Sequence, residues 1–204
     1  MMEKAKAGDQ VSSGLAAKTS WGESAVACGR YYAECHDKDG NLKWTAEGDN
    51  LVVNAGLQYM AGTALANSAT QITTWYVGLY GAAASNTPAA SDTLSSHAGW
   101  TEIAGDGETP PGTIYSGTRK AATFAAATNA NPSVVTNTSN KAVFNITGSA
   151  TIGGAFLCSL TSGTSSGGTP GTLFSAADFQ SPGDRSVVSG DVISVTYEFR
   201  LTAT

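Results

Sequence analysis

The sequence predicts an all-β fold: an antiparallel β-sandwich or jelly roll carrying one short helix and an N-terminal arm. Three observations carry that expectation. From Asp191 to Thr204, Ile193, Val195, Tyr197, Phe199 and Leu201 alternate with Ser194, Thr196, Glu198, Arg200 and Thr202, the period-two pattern of a half-buried strand. Shorter runs of the same kind recur along the chain, punctuated by Gly, Asn, Ser and Pro. At 204 residues the chain suffices for one such domain with a real core, while two would be cramped.

The elements follow in order. Residues 1–29 mix Lys, Gly, Ser and Ala without periodicity and read as an arm, flexible or ordered by a partner, with Trp21 as its one large apolar group. A single sandwich domain is expected from 30 to 204. Arg30 to Glu47 reads as a β-hairpin whose turn uses Asp39-Gly40 for positive backbone angles. Asn54 can cap a helix from Ala55 to about Leu65, with Leu57, Met60, Ala61, Ala64 and Leu65 on one side and Gly56 and Gly62 weakening it. Its expected place is an end of the sandwich. Ile72 to Tyr80 carries bulk on both faces of a strand, which predicts burial on both sides.

A long connection then leads to Trp100-Thr101-Glu102-Ile103, and loops of that length usually carry contacts or function. Ala104 to Gly112, with Gly-Asp-Gly and Pro-Pro, reads as a second exposed connection. Further strands are expected at Thr113 to Thr118, Ala121 to Ala127, Ala142 to Thr147, Thr151 to Leu160, Thr172 to Phe174 and Arg185 to Val188. In the fourth of these, Ile152, Phe156, Cys158 and Leu160 share a face with Gly154, which permits a bulge or close backbone approach. Thr161 to Gly171 is read as a surface loop.

Composition excludes several function classes. Charged residues make up 13% of the chain against about a quarter in ordinary domains, so the surface is built from hydroxyls, amides and small side chains. Such a surface suits packing against other protein copies. The net charge of −5 argues against nucleic acid, which demands clustered Lys and Arg. The one adjacent basic pair, Arg119-Lys120, is expected to be solvated. No run nears the roughly 18 apolar residues of a membrane span, and Lys4 and Lys6 are followed by no apolar stretch of leader length. Cys28, Cys35 and Cys158 lack metal-type spacing and read as reduced thiols.

Each apparent chemical motif has a plainer structural reading. Gly163-Thr164-Ser165-Ser166-Gly167 matches a nucleophile elbow, but Gly168, Pro170 and Gly171 stand where its helix would start. Cys35 and His36 are strand neighbours that point to opposite faces, which predicts a buried thiol and an outward imidazole. His97 could meet Asp92 or Glu102 from its loop. Asp37-Lys38-Asp39-Gly40-Asn41 hints at a calcium loop, yet Leu42 falls where Gly is required. Asn137 and Asn145 begin glycosylation patterns that need secretion. Trp75, Tyr76, Tyr80 and Trp100 could stack on sugars, with core packing the expected use. No catalytic residues, cofactor or metal are expected.

Several blocks, in order, resemble one family: ECHDKDGNLKW followed by DNLVVNAGLQYM, then TTWYVGLYGAAASNTPAASDTLSSHAGWTEI, SNKAVFNITGSATIGGAFLC and VVSGDVISVTYEFRLTA. Together they are similar to small head decoration, or cement, proteins of tailed bacteriophages, of jelly-roll type. The resemblance covers roughly Arg30 to Thr204, is most specific from Trp75 to Ile103, and leaves out residues 1–29. It implies a virion protein made in the host cytoplasm that sits on the outer capsid surface. Its implied partners are the major capsid protein and itself, as a homodimer or homotrimer, with neither nucleic acid nor membrane. Trp21, Trp100, His97, Arg119 and Lys120 are the candidate partner contacts. The alternative expectation is a tail or fibre-associated module contacting host glycan through Trp100, the tyrosines and the long loops.

Overall fold

The computed structural model describes residues 24–81, 87–180 and 183–204. A long hairpin opens the described chain, with β1 at Ala25–His36 and β2 at Leu42–Asp49, followed by β3 at Leu51–Val52 and helix α1 at Asn54–Ala61. Next come β4 at Trp75–Gly81, β5 at Thr101–Ile103, β6 at Lys120–Ala122, β7 at Ser133–Thr136, β8 at Ala142–Asn145 and β9 at Ala150–Cys158. A small ribbon, β10 at Ser165–Ser166 and β11 at Thr169–Pro170, precedes β12 at Leu173–Asp178, β13 at Arg185–Val187 and β14 at Val192–Ala203.

These strands form an antiparallel β-sandwich, as the periodicity predicts. One sheet runs β2-β1-β14, with β7 and β8 end to end along the far side of β14. The other runs β3-β12-β9-β4, with β5 and β6 sharing the far side of β4, and β13 continuing the line of β12 along β9. Long strands are thus flanked by pairs of short ones, and the long connections are those that lead into β5 and from β5 to its pair member β6.

The inward face of β14 supplies Ile193, Val195 and Tyr197, all 0% exposed, to a core shared with Tyr31, Phe144, Val77, Leu79, Ile152 and Leu157. The alternation outruns the core, since Phe199 is half-buried and Leu201 is exposed although the ladder with β1 continues to Ala203. The β3-β12-β9-β4 sheet is buried on both faces, as the bulk on both sides of β4 predicts. Its second face carries Tyr80, Phe156, Cys158, Leu173 and Ala176 under Val53, Leu94 and Trp100.

Local structure departs from expectation in several places. At the hairpin turn only Gly40 takes a positive φ, +85°. Asp37 does the remaining work, its Oδ1 accepting from the Asp39 and Asn41 amides at 2.9 Å each, which spends the would-be calcium carboxylate on backbone. The helix begins at Asn54 itself with Val53 at the cap and no capping side chain, and it loosens into a π-helical turn at Gly62–Ala66. Most of its predicted apolar side faces out: Leu57, Ala61, Ala64 and Leu65 are exposed and Met60 alone of the five packs on the core, while Gly56 is buried. A Cβ on Gly56 would lie 2.3 Å from the Phe174 carbonyl oxygen. The residue that lowers helix propensity is therefore the one that lets the helix reach β12.

In β9 the predicted common face is broken. The register slips between Tyr80 and Gly81, so that they pair with Gly154 and Ile152 and leave Gly153 over. That bulge turns Ile152 into the inter-sheet core with Ala155 and Leu157, while Phe156 and Cys158 face the other way. Residues 113–118 form no strand, making isolated bridges through Tyr115 to Gly105 and Ile146. The strand expected at 121–127 is confined to β6. Residues 25–29, assigned to the arm by sequence, belong to β1, and Ser24 just ahead of it pairs with Thr204; residues 1–23, including Trp21, lie outside the described residues.

Two substitutions test this architecture. A Cβ at Gly154 would sit 2.2 Å from both the Ala177 carbonyl oxygen and Tyr80 Cζ, so Gly154→Ala should cost about 1–3 kcal/mol through overpacking. Between the stretches of β14 paired with β8 and with β7, buried Asn137 accepts from the Tyr197 amide at 2.7 Å and donates to the Val195 carbonyl at 3.3 Å. Asn137→Ala orphans both groups and should cost about 2–6 kcal/mol, at 1–3 per buried group. Urea denaturation of both variants measures these losses, and a wild-type midpoint for either would contradict the packing described.

Candidate functional site

The loop ahead of β5 folds back as a cover over the outer face of the β3-β12-β9-β4 sheet. Leu94 and Trp100 anchor it, each 2% exposed, with the Trp100 ring 5.0 Å from Phe156 and 5.2 Å from Tyr80. The Trp100 indole N–H donates to Asp92 Oδ2 at 3.0 Å, and the same oxygen accepts from the Ala89 amide at 2.9 Å. His97 meets neither Asp92 nor Glu102. Its ring stacks on Trp100 at 3.7 Å, and its Nδ1 donates to the Trp100 carbonyl at 3.0 Å. Trp100 is thereby withdrawn from sugar stacking and from any partner surface, and His97 is only partly accessible.

Arg119 corrects the expectation of a solvated basic pair. It is 3% exposed, and its guanidinium grips Glu102 in a two-pronged ion pair, Nε to Oε1 and Nη2 to Oε2 at 2.6 Å each. Nη1 donates to the carbonyls of Leu160 and Gly163 at 3.0 Å each and reaches Cys158 Sγ at 3.6 Å. Each nitrogen of the guanidinium thus has an acceptor. Buried Glu108 lies 3.7 Å from Arg119 Nε and accepts from the Tyr115 hydroxyl, so the connection 104–112, exposed along much of its length as expected, turns this one carboxyl inward. Burial opposes the Arg119 charge, but Glu102 more than offsets it and holds the guanidinium protonated. Burial lifts the Glu108 carboxyl above its ordinary value, with the Tyr115 hydroxyl pulling the other way.

Lys120 points away from this knot. Half-buried, it donates to the Ser116 carbonyl at 2.6 Å and lies over the Tyr115 ring at 5.4 Å, and burial lowers its pKa. The thiols behave as structural groups: burial pushes Cys35 and Cys158 up to about 11. Cys35 faces the core and His36 does not. The elbow-like serines stand in the exposed β10–β11 ribbon, where no helix follows.

The cleft that sequence reasoning missed lies beside that ribbon. Segment 69–74 faces Ser166, Thr169 and Pro170, with Tyr59, Tyr76 and Thr172 between them, around a space of about 620 Å³. A second space of about 470 Å³ shares Tyr59, Ala69, Pro170 and Thr172 and extends to Gln58 and Ser95. Among the described residues, no charged one lines either. A signal was present in Ser166-Gly167-Gly168-Thr169, whose two glycines take φ +56° and +83° as a two-residue hairpin turn demands. No family model, curated protein or solved structure matches the chain.

The arginine knot carries its own test. A carboxyl whose folded pKa is raised contributes stability that is full below its ordinary value of 4.5 and is lost as pH rises through the folded value. Glu108→Gln, fixed in the neutral form, should therefore be less destabilising at pH 7 than at pH 4. Glu102→Gln deprives a buried guanidinium of its counter-ion and should cost about 3 kcal/mol at pH 7. Denaturant curves at the two pH values check both signs.

Proposed function

We propose that this protein is a structural virion protein of a tailed bacteriophage, decorating the outside of the capsid and bridging neighbouring major-capsid subunits. The observation that carries the reading is the use made of its polar side chains. Arg119, Glu102, Glu108, Asp92 and His97, the groups from which chemistry would be built, are engaged in fastening long loops to the sandwich. A sandwich stapled in this way suits a part that bears mechanical load. The family-like blocks supply the same reading from sequence. A low-charge, hydroxyl-rich exterior fits modest contacts that sum over many copies by avidity, with self-association about capsid axes as dimers or trimers.

A second reading, a tail or fibre-associated module that contacts host glycan, is favoured by the uncharged cleft beside the ribbon. Purified protein should bind expanded capsids and raise the temperature at which they release DNA, and labelled antibody should mark the head. Labelling confined to the tail, with no capsid binding, would overturn the first reading in favour of the second.

A further inference from the structure

We infer that the cleft between segment 69–74 and the β10–β11 ribbon is a binding site for a neutral oligosaccharide. The inference goes beyond the capsid reading and does not depend on where in a virion the protein sits. Its volume, about 620 Å³, lies within the roughly 300–1,000 Å³ of small-ligand sites, and its lining selects the class of ligand.

Charge decides first. With no Lys, Arg or His among the described residues lining either space, a phosphate, sulfate or sialic acid finds no counter-ion there, and with no Asp or Glu among them a cation finds none either. Hydroxyl and amide groups decide second. The side chains of Gln71, Thr73, Ser166, Thr169 and Thr172 line the space, and none has a hydrogen-bond partner within the described residues. They form a set of neutral donors and acceptors that a hydrocarbon chain would leave unpaired and a polyol would satisfy.

The aromatic groups decide third. Tyr59 is held in place by an edge-on contact with Trp75 at 5.2 Å and by the Ile72 amide, which donates to its hydroxyl at 2.7 Å. That hydroxyl accepts there and keeps its own proton to donate. Tyr76, half-buried on β4, flanks the same space. A sugar ring presents a C–H face and a rim of hydroxyls, which matches an aromatic ring beside neutral hydrogen-bonding groups. Because Tyr59 is already fixed, little side-chain freedom is lost when a ligand arrives.

The test applies the full chain to a glycan array bearing neutral, sialylated and sulfated oligosaccharides, followed by calorimetric titration of the best neutral binder. Neutral oligosaccharides should be retained equally at low and high salt. Gln71→Ala and Tyr76→Ala should each weaken binding about tenfold, equivalent to about 1.4 kcal/mol, without changing capsid binding. Should Tyr76→Ala lower the melting temperature, Gln71→Ala and Thr169→Ala, both at exposed positions, decide the matter. Retention only of anionic glycans, no retention of any neutral one, or unchanged affinity in the exposed-site variants would overturn the inference while leaving the capsid reading standing.

Discussion

Tyr197 is the residue through which both sheets and both halves of one sheet edge are joined. Its ring packs on Tyr31 at 4.5 Å, and its hydroxyl accepts from Asn50 at 2.7 Å and from Ser175 of the opposite sheet at 3.3 Å. Its amide is answered by Asn137 where neither β7 nor β8 reaches. Burial pushes both phenols well above their ordinary range, so they remain donors under all ordinary conditions. A polar cluster so deep is tolerable because its hydroxyls and the Asn50 amide nitrogen are paired; Asn50 Oδ1 is the exception, buried with no partner among the described residues. β14 can then be central along its length, with β1 on one side and two short strands on the other.

Short strands set beside long ones have a consequence for the rest of the molecule. The chain must travel far between β5 and β6, and between β4 and β5, and those excursions need anchors of their own. Trp100 supplies one by burial, with Asp92 and His97 fixing the indole. Arg119 supplies the other, tying the chain ahead of β6 to β5 through Glu102 and to the exit of β9 through Leu160 and Gly163. A buried ion pair adds little net stability compared with apolar packing, but breaking it is costly. It therefore fixes where the loops lie more than it raises the stability of the whole.

Fastening and recognition are consequently separated in space. Trp100, Arg119 and the carboxylates around them are consumed inside, whereas the cleft beside the ribbon is walled by threonines, serines and a glutamine together with Tyr59 and Tyr76. The mechanical reading draws on the first group and the sugar-binding inference on the second. Both can hold in one protein, since a copy fastened to a capsid still turns one side to solvent.

Alternation along β14, the hairpin around Gly40 and the two-sided bulk of β4 were legible because each is a local pattern with a local cause. So was the burial of Cys35, which follows from strand geometry. The packing of the helix through Gly56 was not legible, because it depends on a backbone that approaches from β12, more than 100 residues away in sequence. Nor was Arg119, whose partners come from three separated segments, nor the bulge that turns Ile152 inward. The sequence by itself determined an antiparallel sandwich closed by its C-terminal strand, since period-two hydrophobicity dictates which face is buried. Only the tertiary structure decided which polar side chains would be fasteners and which would line a cleft, because that depends on distances between residues remote in the chain.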